Sequence, residues 1–369
     1  MKLDIQMLRG FRKQKIAIIG AGNAGCLTAL HYLRYSNPNK VEIVIYHDPD
    51  TPIERVGQGT VLPPTELIGE GLGINWDHNP IDATIKTGFM YEGWGKKKEK
   101  IFHDFKLHQV ACHYVPKKLS DEVLQSGKVK VVEKKVDDPE EEIDADYIFD
   151  CRGSVDRNPD DYTYLVNPLN SVLLYNKPGP DPSLLYTRSV ATPNGWTFII
   201  PNKDSLSYGY LYNNTITSKE EAMSDFLERF ELPGIDGELF FYNYVAKNIF
   251  VGQRTILNGN RCFFIDPLEA TATDFYHTIA KYSWDYIGGV RDKNATNMEV
   301  RRIAREVQNF ILWHYQSGSK FDTPFWKYAK SLPFNPDNTF RNMMKLPNDS
   351  EQTYGNWTPR IFDIWRSNT

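Results

Sequence analysis

The sequence predicts an α/β fold with α+β elements: a parallel-sheet lobe, an interleaved mixed β-sheet lobe and a short C-terminal helical cap. Three observations predict it. An apolar run, a glycine-rich turn and a helical pattern open the chain and lead to a second apolar run. The middle of the chain is rich in Tyr, Phe, Val and Thr between turn residues, which is typical of strands. From residue 270 onward the apolar spacing is helical.

The opening segment predicts a βαβ unit. Residues 15–19 and 41–46 are short apolar runs that fit buried parallel strands. Between them, residues 20–25 read GAGNAG and are followed by a helical pattern. A GxGxxG turn between a strand and a helix is the signature of a Rossmann-type dinucleotide site.

The residues of this turn have different tasks in such a site. Gly20 allows the tight turn, Gly22 lets the backbone approach a pyrophosphate, and Gly25 permits close packing of the helix on the strand. The helix begins at Asn23 and Ala24, where free N–H groups can bind phosphate. We therefore expect these five residues to bind the cofactor.

The end of the second strand should carry a group that binds the ribose hydroxyls. His47 and Asp48 both stand there, and either side chain can form that hydrogen bond. Because such a turn serves NAD and FAD alike, the local pattern leaves the cofactor open.

The remaining elements follow in order along the chain. Residues 51–100 are rich in Gly and Pro and are predicted to be mostly loop. Strands are predicted near 128–136 and 145–151, with a solvated acidic turn at 137–142 between them, and helices near 218–230 and 298–315. The predicted domains are residues 1–160 with a return segment at about 250–290, residues 161–250, and residues 291–369.

Composition excludes several classes of protein. The 369 residues include 43 Lys and Arg against 47 Asp and Glu, and this net charge of −4 argues against a nucleic-acid binder. No apolar run reaches the ~18 residues of a membrane-spanning helix. The four cysteines are scattered and the charged start resembles no signal peptide, so we expect a cytoplasmic protein without a metal site. Aromatic residues make up 13% of the chain, enough to line a pocket for flat ligands.

Beyond the glycine turn, several separated segments resemble those of one family, the flavin-dependent halogenases of the tryptophan-halogenase type. The likeness extends in order over roughly residues 15–330. The matching segments are GAGNAG (20–25), VGQGTV (56–61), IKTGFMYEGW (85–94), ADYIFDCRG (145–153), GWTFIIP (195–201), DPLEATATDF (266–275), and FILWHY with DTPFW (310–326).

This resemblance implies an oxidoreductase that uses FAD. Reduced FAD, supplied by a separate flavin reductase, would act with O2 and chloride, bromide or iodide to make hypohalous acid. The acid would then halogenate a small electron-rich aromatic substrate. The family's tryptophan enzymes are longer, so a shorter cover predicts a more open pocket or a lid from a neighbouring subunit in a homo-oligomer.

The resemblance also assigns roles to single residues. Lys86 matches the lysine that captures hypohalous acid, and Glu269 matches the acid near that lysine. Thr271 and Ala272 stand where the family binds halide. From the residues alone, Lys86 would more often be a solvated lysine on an edge strand, and Glu269 could simply cap a helix that starts near Thr271.

A second set of residues should lie along the flavin. Trp196, Phe198 and Pro201 match the aromatic motif between the flavin and the lysine, with Phe198 in place of a family Trp. Gly59 and Asp266 are expected beside the cofactor.

The sequence leaves two other functions open, and it assigns no functional role to the histidines discussed below. The chain could be a flavin-dependent monooxygenase, or a catalytically inactive flavin-binding protein of the same fold. His103, His108 and His113 are interpreted as ordinary surface or core residues, and His314 as a packed core residue.

Overall fold

The computed structural model describes residues 12–54, 56–75, 78–105, 109–153 and 158–368. The predicted opening is confirmed: a strand at Gln14–Ile19, a helix at Asn23–Tyr35 and a strand at Val41–His47. The two strands pair in parallel, with Ile16 beside Ile43. This βαβ unit forms the centre of the first sheet.

The parallel sheet has six strands within the described residues. All neighbours pair in parallel except the first two, which pair antiparallel. Its order across the sheet is Phe250–Val251, Thr255–Leu257, Tyr147–Asp150, Gln14–Ile19, Val41–His47 and Lys130–Glu133. The segment around residues 250–257 therefore returns to the sheet that the glycine turn begins.

The largest sheet has seven strands in the described part of the chain, and its neighbours pair antiparallel except Gly88–Glu92 with Thr187–Thr192. It combines two strands from before residue 105 with five from 171–240. Its order is Gly237–Phe240, Ser171–Pro178, Ser205–Tyr212, Gly195–Pro201, Thr187–Thr192, Gly88–Glu92 and Lys100–Asp104.

Two small sheets and a set of helices complete the described fold. The first small sheet contains Tyr162–Tyr164, Tyr244–Ala246 and Phe263–Phe264, and the second contains Gln58–Gly59, Ala111–Tyr114 and Thr84–Lys86. The other α-helices are Leu62–Leu72, Pro116–Gln125, Pro139–Glu142, Lys219–Phe230, Thr271–Ile287, Lys293–Ser317, Pro324–Ser331, Asn338–Met343 and Pro359–Arg366. None of the described helices is long and apolar enough to cross a membrane.

The prediction of a loop-dominated segment over residues 51–100 is wrong in part. A helix spans Leu62–Leu72 and ends at Gly73, whose φ is 72°. Its prolines lie in the first turn, where a missing N–H costs no helical hydrogen bond, and Leu67 and Ile68 are buried. The prolines were therefore starting a helix rather than preventing one.

The acidic run at 137–142 also differs from the predicted turn. Asp138 caps the short helix Pro139–Glu142 by accepting hydrogen bonds from the next N–H groups. Glu140 accepts hydrogen bonds from Thr255 (2.7 Å) and from Arg254. The run therefore ties this segment to the returning strand.

Candidate active site

A cavity of about 820 Å³, the large cavity, lies at the carboxyl ends of the parallel strands. Its wall includes Gly20, Gly22, Asn23 and Ala24 from the glycine turn. The carboxyl ends of parallel strands at such a turn are where nucleotides bind in folds of this kind.

The three glycines of the turn differ in how much space surrounds them. Gly20 has a φ of 101°, and a Cβ there would lie 2.7 Å from the carbonyl oxygen of Cys151. A Cβ on Gly25 would lie 1.9 Å from the carbonyl oxygen of Gly20, so Gly25 packs behind the wall of the cavity. At Gly22 no described atom lies within 4 Å of the added Cβ, which leaves that face open for a ligand.

Both ribose candidates, His47 and Asp48, line the large cavity. Two arginines border it as well: Arg152 and Arg261 lie 2.8 Å and 3.1 Å from the buried carboxylate of Asp150. Burial opposes ionisation of Asp150, yet the hydrogen bond from Arg152 and the charges of both arginines lower its pKa. The volume of the large cavity and the open face at Gly22 fit a dinucleotide such as FAD.

Lys86 is buried at the end of the strand Thr84–Lys86. Its Nζ donates a hydrogen bond to the carbonyl oxygen of Thr60 (2.8 Å) and lies 3.7 Å from the centroid of the Phe89 ring. Burial lowers the pKa of Lys86 to about 7, although the charge of Glu269 opposes the shift. An amine in this environment exists in both charge states near neutral pH.

Glu269 is buried in a left-handed backbone conformation, with a φ of 68°. Its Oε1 accepts hydrogen bonds from the hydroxyl of Tyr91 and from Nδ1 of His103 (2.8 Å). Its Oε2 accepts one from Nε1 of Trp357 (3.3 Å), and Nε2 of His314 lies 3.4 Å from Oε1. A carboxylate held by this many donors is oriented and kept ionised.

The pKa values of this group follow from burial and charge. Burial alone would raise the pKa of Glu269, but the charge of His103 and hydrogen bonds from His103 and His314 lower it below the usual range. Burial lowers the pKa of His314, while Glu269 opposes that shift. Glu269 is therefore ionised.

A second cavity of about 60 Å³, the small cavity, lies beside Glu269. Its wall combines five separated segments of the chain: Gly57, Gln58, Gly59, Phe89, Thr187, Ser189, Trp196, Phe198, Ile200, Pro267, Glu269, Ala270, Ala272 and Thr273. A Cβ on Gly59 would lie 3.0 Å from Nζ of Lys86, so this lysine stands just behind the wall. The structure thus places Glu269 in the wall of the small cavity and Lys86 directly behind that wall.

The aromatic motif lines this space, although not with all of its predicted members. Trp196 and Phe198 contribute to the wall, and Phe198 rests on the backbone of Gly209, its partner on the neighbouring strand. A Cβ on Gly209 would lie 2.1 Å from the Phe198 ring. Pro201 stands at the end of the same strand, where its carbonyl oxygen accepts a hydrogen bond from Thr84 (2.7 Å).

Asp266 borders neither the large nor the small cavity within the described residues. It is buried and accepts hydrogen bonds from Tyr315 (2.6 Å), Asn167 (3.0 Å) and the N–H of Leu268 (2.9 Å). Burial raises its pKa. In the structure, Asp266 fixes the turn that leads to Glu269.

The halide candidates lie at the start of a helix. The helix Thr271–Ile287 begins after Ala270, whose φ is 52°, and Glu269 provides no side-chain cap. The hydroxyl of Thr271 is buried without a hydrogen-bond partner among the described residues, and Ala272 lines the small cavity. A free hydroxyl and free N–H groups at a helix N-terminus suit a small anion.

Three partners of Glu269 were not predicted from the sequence. His103 lies on the strand Lys100–Asp104. The only sequence signal that its side chain points inward is its position two residues after the apolar Ile101, which places both on the same face of the strand. His314 lies one helical turn after Phe310 on a buried helix face, as a core residue would. Trp357 belongs to a polar tail that carried no periodic signal. His108 lies outside the described residues.

The C-terminal tail covers Glu269 on the side of these partners. Trp357 stacks on Phe310 with ring centroids 3.9 Å apart, and Trp365 lies 4.2 Å from His314. The side chain of Asn368 donates a hydrogen bond to the carbonyl oxygen of Trp94 (2.9 Å). The C-terminal tail thus forms an aromatic cover over the carboxylate of Glu269 on this side.

The sequence profile of the family described as tryptophan halogenase matches residues 15–120 and 115–365. Among curated proteins, tryptophan 6-halogenase ThaL of Streptomyces albogriseolus is 26% identical over 197 residues. Tryptophan 7-halogenase RebH of Lentzea aerocolonigenes is 24% identical over 201 residues. These alignments cover 49% of this chain but only 36% and 37% of the two relatives, about a third of their length.

Solved structures share the fold over nearly the whole chain. The tryptophan 6-halogenase SttH of Streptomyces toxytricini has a TM-score of 0.78 at 20% identity, covering 96% of this chain and 90% of that one. The flavin-dependent halogenase Xcc4156 of Xanthomonas campestris has a TM-score of 0.79 at 15% identity, covering 96% and 89%.

Proposed function

The chain belongs to the tryptophan halogenase family of flavin-dependent halogenases, and on this premise we propose that it halogenates a small electron-rich aromatic substrate. Reduced FAD would come from a separate flavin reductase. The observation that carries the proposal is a small cavity lined by Glu269, Trp196 and Phe198, with Nζ of Lys86 directly behind Gly59 in its wall.

The large cavity would hold FAD. The open face at Gly22 and the N-terminus of the helix Asn23–Tyr35 would receive the pyrophosphate, and His47 or Asp48 the ribose hydroxyls. When bound in the large cavity, reduced FAD would supply two of the four electrons that reduce O2, and the halide would supply the other two, giving hypohalous acid and water.

One segment runs from the large cavity to the small one. Ile53 and Glu54 line the large cavity, and Gly57 to Gly59 line the small cavity. Trp196 and Phe198, both buried, give part of the wall of the small cavity an apolar surface. Hypohalous acid that enters there is protected from side reactions until it meets Lys86.

Lys86 can hold the halogen donor in either of two ways. The charged amine donates a hydrogen bond to hypohalous acid, and the neutral amine attacks the halogen and forms a haloamine with loss of water. Because burial lowers the pKa of Lys86 to about 7, both forms are available near neutral pH.

Glu269 would serve as the base. Its ionised carboxylate, held by Tyr91, His103 and Trp357, can accept the proton that leaves the aromatic carbon after halogen transfer. Its fixed orientation lowers the entropic cost of that step.

The test is bromination of indole by the purified full chain with FAD, a flavin reductase, NADH, O2 and bromide, read by mass spectrometry. Excess methionine should trap free hypobromous acid. We expect bromoindole, and at least about a 100-fold loss for Lys86→Met with unchanged flavin affinity. Lys327→Met, a change on an exposed helix face, is the matched control.

Two results would overturn the proposal. One is bromination that Lys86→Met leaves unchanged in the presence of methionine. The other is an oxygenated product formed equally well without halide, since that would make the chain a monooxygenase.

A further inference from the structure

The two ring nitrogens of His314 meet different groups in the interior of the protein. Nδ1 lies 2.7 Å from the carbonyl oxygen of Phe310, and Nε2 lies 3.4 Å from Oε1 of Glu269. A carbonyl oxygen only accepts hydrogen bonds, so Nδ1 must carry a proton. The charge of the ring therefore depends on whether Nε2 carries a second one.

A neutral ring fits this position poorly. With its proton on Nδ1, the neutral ring would point the lone pair of Nε2 at the carboxylate of Glu269. That oxygen already accepts hydrogen bonds from Tyr91 and His103, so no donor would lie between the two acceptors. With a proton on Nε2, the ring becomes a charged donor that faces Oε1 of Glu269, and the contact becomes charge-assisted.

The surroundings of His314 suit a cation. Three aromatic rings form a cage around it, with centroid distances of 4.2 Å to Trp365, 4.7 Å to Phe310 and 5.2 Å to Tyr91. Aromatic rings within ~6 Å attract a cation, and more so when water is excluded. Burial and the charge of His103 lower the pKa of His314, whereas the hydrogen bond and the charge of Glu269 and the hydrogen bond to Phe310 act in the opposite direction.

We propose that His314 is a positioning residue that holds a second proton at neutral pH, and that its imidazolium keeps Glu269 ionised and oriented at the small cavity. The catalytic consequence rests on the proposed function, whereas the protonation state does not. A neutral residue at position 314 would leave the carboxylate with fewer donors and a higher pKa.

A metal ion is the competing explanation. The ligand atoms of His103, Glu269 and His314 lie within 4.8 Å of one another, and His314 donates its other N–H to a carbonyl oxygen as metal ligands often do. However, Nδ1 of His103 lies at hydrogen-bond distance from the same oxygen that Tyr91 contacts. A metal ion would have to displace the proton of His103 and the hydrogen bond of Tyr91.

The experiment is nitrogen-15 NMR of the full chain with labelled histidine, at pH 7 and without halide or FAD. We expect His314 to show protons on both ring nitrogens, with its signals assigned by their loss in His314→Gln. His31 is the internal control, because it is buried, has no hydrogen-bond partner among the described residues and has a pKa lowered to about 3 by burial and by the charge of His277. The proposal is overturned if His314 is neutral, with a proton on only one ring nitrogen. It is also overturned if EDTA or added Zn²⁺ shifts the signal of Nε2, because that nitrogen would then bind a metal ion.

A second measurement tests the catalytic consequence. In His314→Gln the acidic limb of the pH profile of bromination should move up by about one pH unit, because Glu269 loses its cation. A loss of activity with an unmoved limb would show a merely structural role and overturn the positioning part. If no halogenation occurs at all, the NMR result still decides the protonation state, so the two failures are distinguishable.

Discussion

The large and small cavities differ in size and in the groups that line them. The large cavity, about 820 Å³, takes one edge of its wall from the backbone of the glycine turn, residues 20–24, and the rest from six further segments that carry many charged side chains. The small cavity, about 60 Å³, is lined by five segments whose aromatic and acidic side chains, Trp196, Phe198 and Glu269, are buried. A large ligand such as a dinucleotide can be recognised in part by a local backbone turn, whereas a small reactive molecule must be enclosed by buried side chains.

The difference in electrostatics follows the same division. The large cavity is bordered by charged groups in contact with solvent, so its charges act on the ligand through a polar rim. At the small cavity, burial lowers the pKa of Lys86, and the buried carboxylate of Glu269 is surrounded by hydrogen-bond donors such as His103. Variants that affect one cavity and leave the other intact test whether the two are separable.

The largest effect is expected from Gly25→Ala. Its Cβ would lie 1.9 Å from the carbonyl oxygen of Gly20 and push the helix from the strand. We expect flavin binding to weaken by about 3 kcal/mol, or ~100-fold, in equilibrium dialysis. Gly22→Ala, whose Cβ meets no described atom within 4 Å, should keep the thermal stability of the chain and weaken only binding. A stable, fully flavin-binding Gly25→Ala would contradict the role of this close packing.

An intermediate effect is expected at the small cavity from Gly209→Ala. A Cβ there would lie 2.1 Å from Phe198 and push its ring into the small cavity. Bromination should fall about 10-fold while flavin affinity stays unchanged, since overpacking costs ~1–3 kcal/mol. Gly234→Ala, with no described atom within 4 Å of its Cβ, is the matched control. Equal losses of flavin binding and bromination would show that the cavities are coupled.

The smallest effect concerns stability and pH. Native Lys86 has a pKa of about 7, below its value of 10.5 in an unfolded chain, so above pH 7 the unfolded chain binds a proton that the native chain does not. Stability should therefore rise from pH 7 to pH 8 by about 1 kcal/mol more in the wild type than in Lys86→Met. Urea unfolding at both pH values measures this difference. Equal slopes in the two proteins would mean that Lys86 is charged in the folded state.

The sequence was sufficient for the contiguous parts of the molecule. The opening strand, glycine turn and helix were predicted because neighbouring residues there determine the structure. Lys86 and Glu269 came from the family resemblance, since no local pattern distinguishes a buried lysine from an exposed one. Their roles as catalytic residues remain predictions.

The partners of Glu269 could not be predicted for a physical reason. His103 comes from an edge strand, His314 from the longest described helix and Trp357 from the tail, and they meet only after three segments pack together. The helix at Leu62–Leu72 was missed for a different reason. Its prolines were interpreted as breakers, although in a first turn they start a helix.

The contact of Phe198 with Gly209 also constrains how this protein can evolve. The two residues face each other across paired strands, and the ring occupies the space that any side chain at 209 would need. A lineage that replaces Gly209 must first reduce the residue at 198, and one that enlarges 198 must keep the glycine. The pair should therefore change together among descendants, and a directed-evolution library that varies position 198 alone cannot reach cavity shapes that need a side chain at position 209.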